Sequence, residues 1–260
     1  RSFKRHDHGV MAIQRTQAFI LEREELRETS LFVTAYTRDF GKLKFVSKGV
    51  RVPEQRYISA YELFALNDIV FYEKKRKNFF LLSQCELLDF FPEVRNSLEK
   101  ISYAVYFSDF INAVTPVGEK NTRLFELLFN SLELLSSGAS PKRVARVFEI
   151  KLLSFLGFMP RLRSCVECEK GVKSESARFS MSKGGVLCEG CAKKERGSRP
   201  IFSGTINFIL HIESLPFGRI KHIKVTKRVG IEVERLLGSF IRYHLDIKLK
   251  SREFIEKIGV

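Results

Sequence analysis

Cys165-Val166-Glu167-Cys168 and Cys188-Glu189-Gly190-Cys191 are two Cys-x-x-Cys knuckles separated by 19 residues. That spacing lies inside the range expected of four-cysteine zinc sites. Each knuckle aims two sulfurs at one point, and two knuckles complete a tetrahedron with no open coordination position. A closed site holds a fold together and performs no hydrolysis, so the cofactor expected here is one structural Zn2+. The competing arrangements are a pair of disulfides or free thiols. Bridges within adjacent knuckles would close loops too short to stabilise much, and a chain expected in the cytoplasm rarely keeps them. Gly171, Gly184 and Gly185 supply tight turns between the knuckles. Cys85 stands apart in an apolar run and reads as a small buried hydrophobe.

A second set of residues could neutralise phosphates. Lys42, Lys44 and Lys48 alternate along one face of a short apolar run, Arg51 and Arg56 flank Pro53, and Lys74, Lys75, Arg76 and Lys77 crowd one turn. Single strands are bound by a positive groove combined with aromatic platforms. Tyr36, Phe40, Tyr57 and Tyr61 are candidate platforms, and each fits a core position equally well. For the Lys74 to Lys77 turn the competing reading is a hairpin tip kept solvated by its lysines. Further basic candidates are Lys193, Lys194, Arg196 and Arg199, and the cluster Arg219, Lys221, Lys224, Lys227 and Arg228.

The chain carries 45 Lys and Arg against 30 Asp and Glu. Residues 11–88 hold 13 basic and 10 acidic residues, 89–160 hold 8 of each, and 161–260 hold 21 and 11. The overall excess points to a polyanionic partner or an anionic surface, and its uneven placement to nucleic acid, with DNA affinity that falls steeply with salt. No run of eighteen apolar residues is present to span a bilayer, so no membrane is expected. Catalytic signatures are lacking as well: no Gly-x4-Gly-Lys-[Ser/Thr] loop and no His-x3-His pair occur, and His211-Ile212-Glu213 has no downstream Pro-Cys-x-x-Cys. The expected protein is therefore not an enzyme and has no small-molecule substrate. A zinc-bearing nuclease or nucleic-acid modifier, and an adaptor working through protein contacts, are the alternatives.

The elements that must position these residues follow from periodicity. Residues 1–10 read as an expression remnant or flexible arm. Residues 11–88 show strand-like runs at Gln17 to Glu22, Leu31 to Thr37, Leu43 to Ser47, Tyr61 to Tyr72 (interrupted at Asn67-Asp68) and Phe79 to Leu88, enough for a small closed barrel. Residues 89–160 change to helical period. Apolar positions Leu98, Ile101, Val105, Phe107 and Ile111 mark one helix, Thr122 to Leu135 a second, and Ser140-Pro141 opens a third that runs to Leu156. Residues 161–200 form a polar, cysteine-bearing insert. Helical pattern returns over 201–260, at Ser203 to Ser214 and from Thr226 to Leu249 with Leu236, Leu237, Phe240 and Ile241 inward.

Several blocks then add up in order. Thr16-Gln17-Ala18-Phe19-Ile20-Leu21, Ser30 to Thr37, Gly41-Lys42-Leu43-Lys44 and Lys48-Gly49-Val50-Arg51 resemble the start of the bacterial recombination mediator family RecO. Phe148-Glu149-Ile150-Lys151-Leu152-Leu153, Leu156 to Pro160, the first knuckle and Gly184-Gly185-Val186-Leu187-Cys188 are similar to that family's helix, elbow and zinc segment. The resemblance covers about residues 12 to 195. It implies an α+β, multidomain chain: an N-terminal OB-fold barrel, then an α-helical domain with an embedded four-cysteine zinc ribbon. It also implies DNA binding, annealing of complementary strands, and, with RecR, help in loading RecA onto strands coated by single-strand-binding protein, in a cytoplasmic, nucleoid-associated setting. The Pro53 to Tyr57 loop is less basic than the matching loop of the family, and the stretch after Pro200 matches weakly.

Overall fold

The computed structural model describes residues 12–26, 29–50, 58–72, 79–173 and 175–259. The chain divides into two compact units, one holding residues 1–91 and 115–125, the other 92–114 and 126–260.

In the first unit, β1 (Ile13–Leu26), β2 (Ser30–Thr37), β3 (Gly41–Ser47), β4 (Leu66–Tyr72) and β5 (Phe80–Asp89) close a barrel in the order β1-β2-β3-β5-β4. The pairs are antiparallel except β3 with β5, where Phe45 opposes Phe80 in parallel. Alternation sends Ala18, Ile20, Leu31, Val33, Ala35, Leu43, Phe45, Ile69 and Phe71 into the interior. β1 is more than twice the length its apolar run marks. Its first half pairs with β4, its second half with β2, and the register shifts between Ile20 and Glu22. A bulge there bends one strand around both neighbours, which is how a short sheet closes. The charged stretch Glu22 to Glu25 hid this extension, because its period-2 signal is carried by β2 and not by itself.

The run expected as one strand from Tyr61 to Tyr72 is two things. Ile58–Tyr61 is a 3-10 turn, Phe64 has φ of 54°, and the strand begins at Leu66. Asn67 does not interrupt it. Its buried amide donates to the carbonyls of Ala60 (2.8 Å) and Ala65 (3.2 Å), fastening the turn to the strand.

Residues 115–125 belong to the barrel unit. Val117 bridges Lys42 in parallel, the Gly118 amide donates to the Lys42 carbonyl (2.8 Å), and the buried Tyr36 hydroxyl donates to the Asn121 carbonyl (3.1 Å). Phe125 packs on Phe19 at 5.0 Å between ring centroids. Gly41 makes this crossing possible: its φ is +68°, and a Cβ there would lie 2.0 Å from the Glu119 carbonyl oxygen. Both backbone strain and collision with main chain oppose a side chain. Gly41→Ala is expected to cost about 3 kcal/mol, read as a lowered denaturant midpoint with unchanged slope. A loss under 1 kcal/mol would show that the segment yields freely.

In the second unit, α2 (Leu98–Val114), α3 (Thr122–Ser136, from Glu126 onward) and α4 (Pro141–Phe155) pack with α6 (Ser203–Ser214), α7 (Lys227–His244) and α8 (Lys250–Ile258), after a short α1 (Pro92–Arg95). The expected seam of α2 is offset. Leu98 is exposed and Ile101 and Val105 half-buried, whereas Tyr103, Tyr106, Phe107, Phe110 and Ile111 are buried, with Phe107 stacked on Phe148 at 4.4 Å. Tyrosines inside, and not only Leu and Ile, broaden the buried stripe. Helical pattern from Thr226 to Leu249 resolves into α7, ending at His244, then a break in which Asp246 takes φ of 47°. α8 follows and went unseen in the sequence. Asp109 on α2 accepts from the Ser251 amide (3.3 Å) and hydroxyl (2.6 Å), capping α8 from outside its own chain segment.

The insert is a ribbon of β6 (Arg178–Ser180), β7 (Gly185–Leu187) and β8 (Arg199–Pro200) in the order β7-β6-β8, with the short α5 (Glu189–Ala192) after β7.

Candidate functional site

The four knuckle cysteines converge. The first knuckle is folded by its own backbone: the Cys165 amide donates to Lys170 and the Glu169 amide to the Cys165 carbonyl, both at 2.9 Å, with Glu169 at φ of 61°. The Val166 amide then donates to Val186 of β7 (2.9 Å), and Arg161 bridges Gly185. That approach needs glycine, since a Cβ at Gly185 would meet the Arg161 carbonyl oxygen at 2.4 Å. The second knuckle opens α5, and the Ala192 amide donates to the Cys188 carbonyl.

The result is a set of four sulfurs all within 4.8 Å of one another. Cys168 Sγ and Cys188 Sγ are 3.7 Å apart, and all four cysteines are free of disulfides. A tetrahedron with metal-sulfur bonds of ~2.3 Å has edges of ~3.8 Å, so the thiols stand where thiolate ligands of one ion stand. Their protonation is linked. Burial raises Cys165, but the backbone N–H groups of Cys188, Cys168 and Glu167 outweigh it and bring its pKa down to about 6. Cys191, sharing protons with Cys188, is pushed up to about 12. Sulfurs this close cannot all ionise against one another, and a divalent cation removes that conflict. The cluster can hold a metal ion.

The lysines of the barrel fall on β3 as the alternation requires. Lys42 and Lys44 share the outer face, half-buried, and Lys48 is exposed just past the strand. Burial, then the neighbouring Lys44, lowers the Lys42 pKa, with Glu22 opposing. Arg51, Arg56, Lys74, Lys75, Arg76 and Lys77 lie outside the described residues, as does Tyr57. Of the candidate platforms, Tyr36 and Tyr61 are core: Tyr36 is held by Asn121, and the Tyr61 hydroxyl is 2.8 Å from Ser47 Oγ. Phe40 packs edge-on to Phe71 at 5.4 Å. Cys85 is half-buried against the barrel core, and burial pushes its pKa to about 12, which fits an inert thiol.

Around the ribbon many cations are already paired. Lys193 meets Glu189 at 3.1 Å, Arg163 meets Glu213 at 3.2 Å, and Lys183 pairs with Glu167. Arg228 lies over the Phe202 ring at 4.1 Å. Sequence reading missed a further set in the Phe148 to Leu153 block. Glu149 and Lys151 are buried, and the Lys151 ammonium donates to the carbonyls of Glu213 (2.8 Å) and Leu215 (2.7 Å), closing the C-terminus of α6. Charged residues within an otherwise apolar helical stripe were the available signal.

Comparison with known proteins agrees along nearly the whole chain. The family model described as Recombination protein O N terminal matches residues 11–91, and that described as Recombination protein O C terminal matches residues 95–253. Curated proteins called DNA repair protein RecO are similar throughout. The one from Pelotomaculum thermopropionicum is 32% identical over 96% of this chain and 96% of its own length. Those of Syntrophus aciditrophicus (30% over 96% and 98%) and Desulforamulus reducens (29% over 95% and 96%) are alike in extent. A closed five-stranded barrel, a helical unit with a four-cysteine ribbon, and both family models in their order make this chain a member of the RecO family of DNA repair proteins.

Proposed function

We propose that this chain is a non-catalytic DNA-binding protein of recombinational repair. It binds single- and double-stranded DNA, anneals complementary strands and, with RecR, helps load RecA onto strands coated by single-strand-binding protein. The observation that carries this reading is the match to the RecO family along nearly the whole chain, joined to a barrel of oligonucleotide-binding topology with lysines on its third strand. The mechanism is electrostatic and geometric. Cations of the barrel, Lys42, Lys44, Lys48, Arg51, Arg56 and Lys74 to Lys77, neutralise two phosphate backbones and leave base edges free to pair. Zn2+ is the ion for Cys165, Cys168, Cys188 and Cys191, because four thiolates in a closed tetrahedral set are its structural ligands. When bound it supplies rigidity and no turnover. No helix among the described residues is long and apolar enough to cross a membrane. Action on nucleoid DNA in the cytoplasm belongs to the same proposal.

Replacing Lys74, Lys75, Arg76 and Lys77 together by Ala is expected to weaken binding of single strands and slow annealing. The slope of log affinity against log salt should fall by up to about 3. Equal affinity and slope for the two proteins in gel-shift titrations at several salt concentrations would place the groove elsewhere. Incubating labelled DNA with the protein and Mg2+ should leave the DNA intact; cleavage would overturn the non-catalytic reading.

A further inference from the structure

Between the ribbon and α7 lies a cavity of about 410 Å³ that the barrel and the metal centre do not explain. That volume is typical of small-molecule sites, ~300 to 1,000 Å³. Its walls divide by chemistry. Phe179, Met181, Ile201 and Leu236 give an apolar interior, Ser239 and Glu232 give polar groups, and Arg199 and Arg235 are exposed on the lining. Neither arginine has an ion-pair partner among the described residues, in contrast to the paired cations nearby. The adjacent Arg178 is committed to the ribbon, its Nε donating to Ser198 Oγ at 3.0 Å.

The walls are fixed before any ligand arrives. A His244 ring nitrogen lies 2.9 Å from the Met181 carbonyl oxygen, and Phe179 meets Phe240 edge-on at 6.2 Å. Glu232, which lines the cavity, accepts from the Phe202 amide (3.2 Å) and from the Thr205 hydroxyl at the start of α6, so its carboxylate is held in place. This carboxylate decides the ligand class. It can accept from the amino and imino hydrogens of a nucleobase, while two guanidiniums at the lining suit a phosphate.

We infer that the cavity receives one nucleotide of single-stranded DNA, its base enclosed by Phe179, Met181 and Leu236 with an edge toward Glu232, and its phosphate on Arg199 and Arg235. The inference rests on the DNA-binding reading and assigns a second contact to it, distant in sequence from the barrel lysines.

The test uses the full chain and a short oligonucleotide with one photoreactive thymine. Irradiation should give adducts on peptides containing Met181 or Leu236. Leu236→Trp, which fills the cavity without changing charge, and the double variant Arg199→Ala/Arg235→Ala should each lower that yield about tenfold, the order expected for one base losing its enclosure. The two arginines are exposed, so the double variant serves if the tryptophan disturbs folding. An abasic competitor should displace the adduct poorly; equal competition would overturn enclosure of a base. Adducts confined to other peptides, unchanged in both variants, would overturn the inference and leave DNA binding standing, whereas no binding of the oligonucleotide removes both. Displacement by a short acidic peptide in place of DNA would make the cavity a protein-docking site and end the proposal.

Discussion

Chelation is expected to remove one zinc ion per chain and to unfold residues 161–200 while the helices keep their protection. The reason is what the ribbon has for a core. Its buried cluster is Cys165, Leu187 and Ala192, with Val166, Val172, Cys188 and Cys191 packed against them, so three of these seven residues are the cysteines themselves. Three short strands and a single turn of helix bury too little apolar surface to offset the entropy of ordering them. Structural zinc contributes about 10 to 16 kcal/mol in peptides of comparable size, the largest single term available here. Cys165→Ala should reproduce the loss, since Cys165 is the buried member of the cluster. Metal analysis, with hydrogen exchange of the Arg178 and Val186 amides, checks both. A metal-free chain whose ribbon stays protected, or one with an ordered disulfide between knuckles, would sink the assignment. The barrel shares none of these residues, and exchange at Leu43 and Phe45 should not change.

How much of this was legible in the sequence depends on how local each cause is. The knuckles read directly, because a metal site of this type is written in spacing. Helices α3, α4 and α6 read almost to the residue, since caps, proline and glycine mark their ends. What escaped was set by partners distant in the chain. The second half of β1 is strand because β2 holds it, not because Arg23-Glu24-Glu25 favours the conformation. Residues 115–121 read as the end of a helix and a loop, yet they run beside β3, and only Gly41 at the crossing point carried any trace of it. Tyr36 and Tyr61 look like binding platforms until their hydroxyls are seen to be engaged by Asn121 and Ser47. The cavity beside α7 joins three separate stretches, 179–181, 197–201 and 232–239, with no shared motif, so pattern could not assemble it.

The other large effect expected is on stability. Glu149→Ala should cost about 3 to 5 kcal/mol, as removal of one partner from a buried charged set does. Glu149 on α4 is fully buried, and Oε1 accepts from the Tyr106 hydroxyl of α2 at 2.7 Å, while Oε2 lies 3.2 Å from Nη1 of Arg146. Arg252 of α8 feels the same carboxylate, and it reaches the set by crossing α7 at Gly238, where a Cβ would lie 2.2 Å from its Nη2. One acid therefore answers a phenol and two guanidiniums drawn from α2, α4 and α8. Without it the Arg146 guanidinium remains buried with its charge uncompensated and the Tyr106 hydroxyl loses its acceptor, while Arg252 keeps Glu256. Tyr106→Phe removes a single hydrogen bond and should cost only about 1 to 2 kcal/mol. Glu149→Gln, which can still accept from Tyr106, should fall between the two. That order, measured by denaturant unfolding, separates charge compensation from packing. If Glu149→Ala and Tyr106→Phe cost the same, the carboxylate serves only as a hydrogen-bond acceptor and the charge argument is wrong. Glu149→Leu combined with Arg146→Leu should recover part of the loss, because an apolar pair of similar volume has no desolvation penalty to meet.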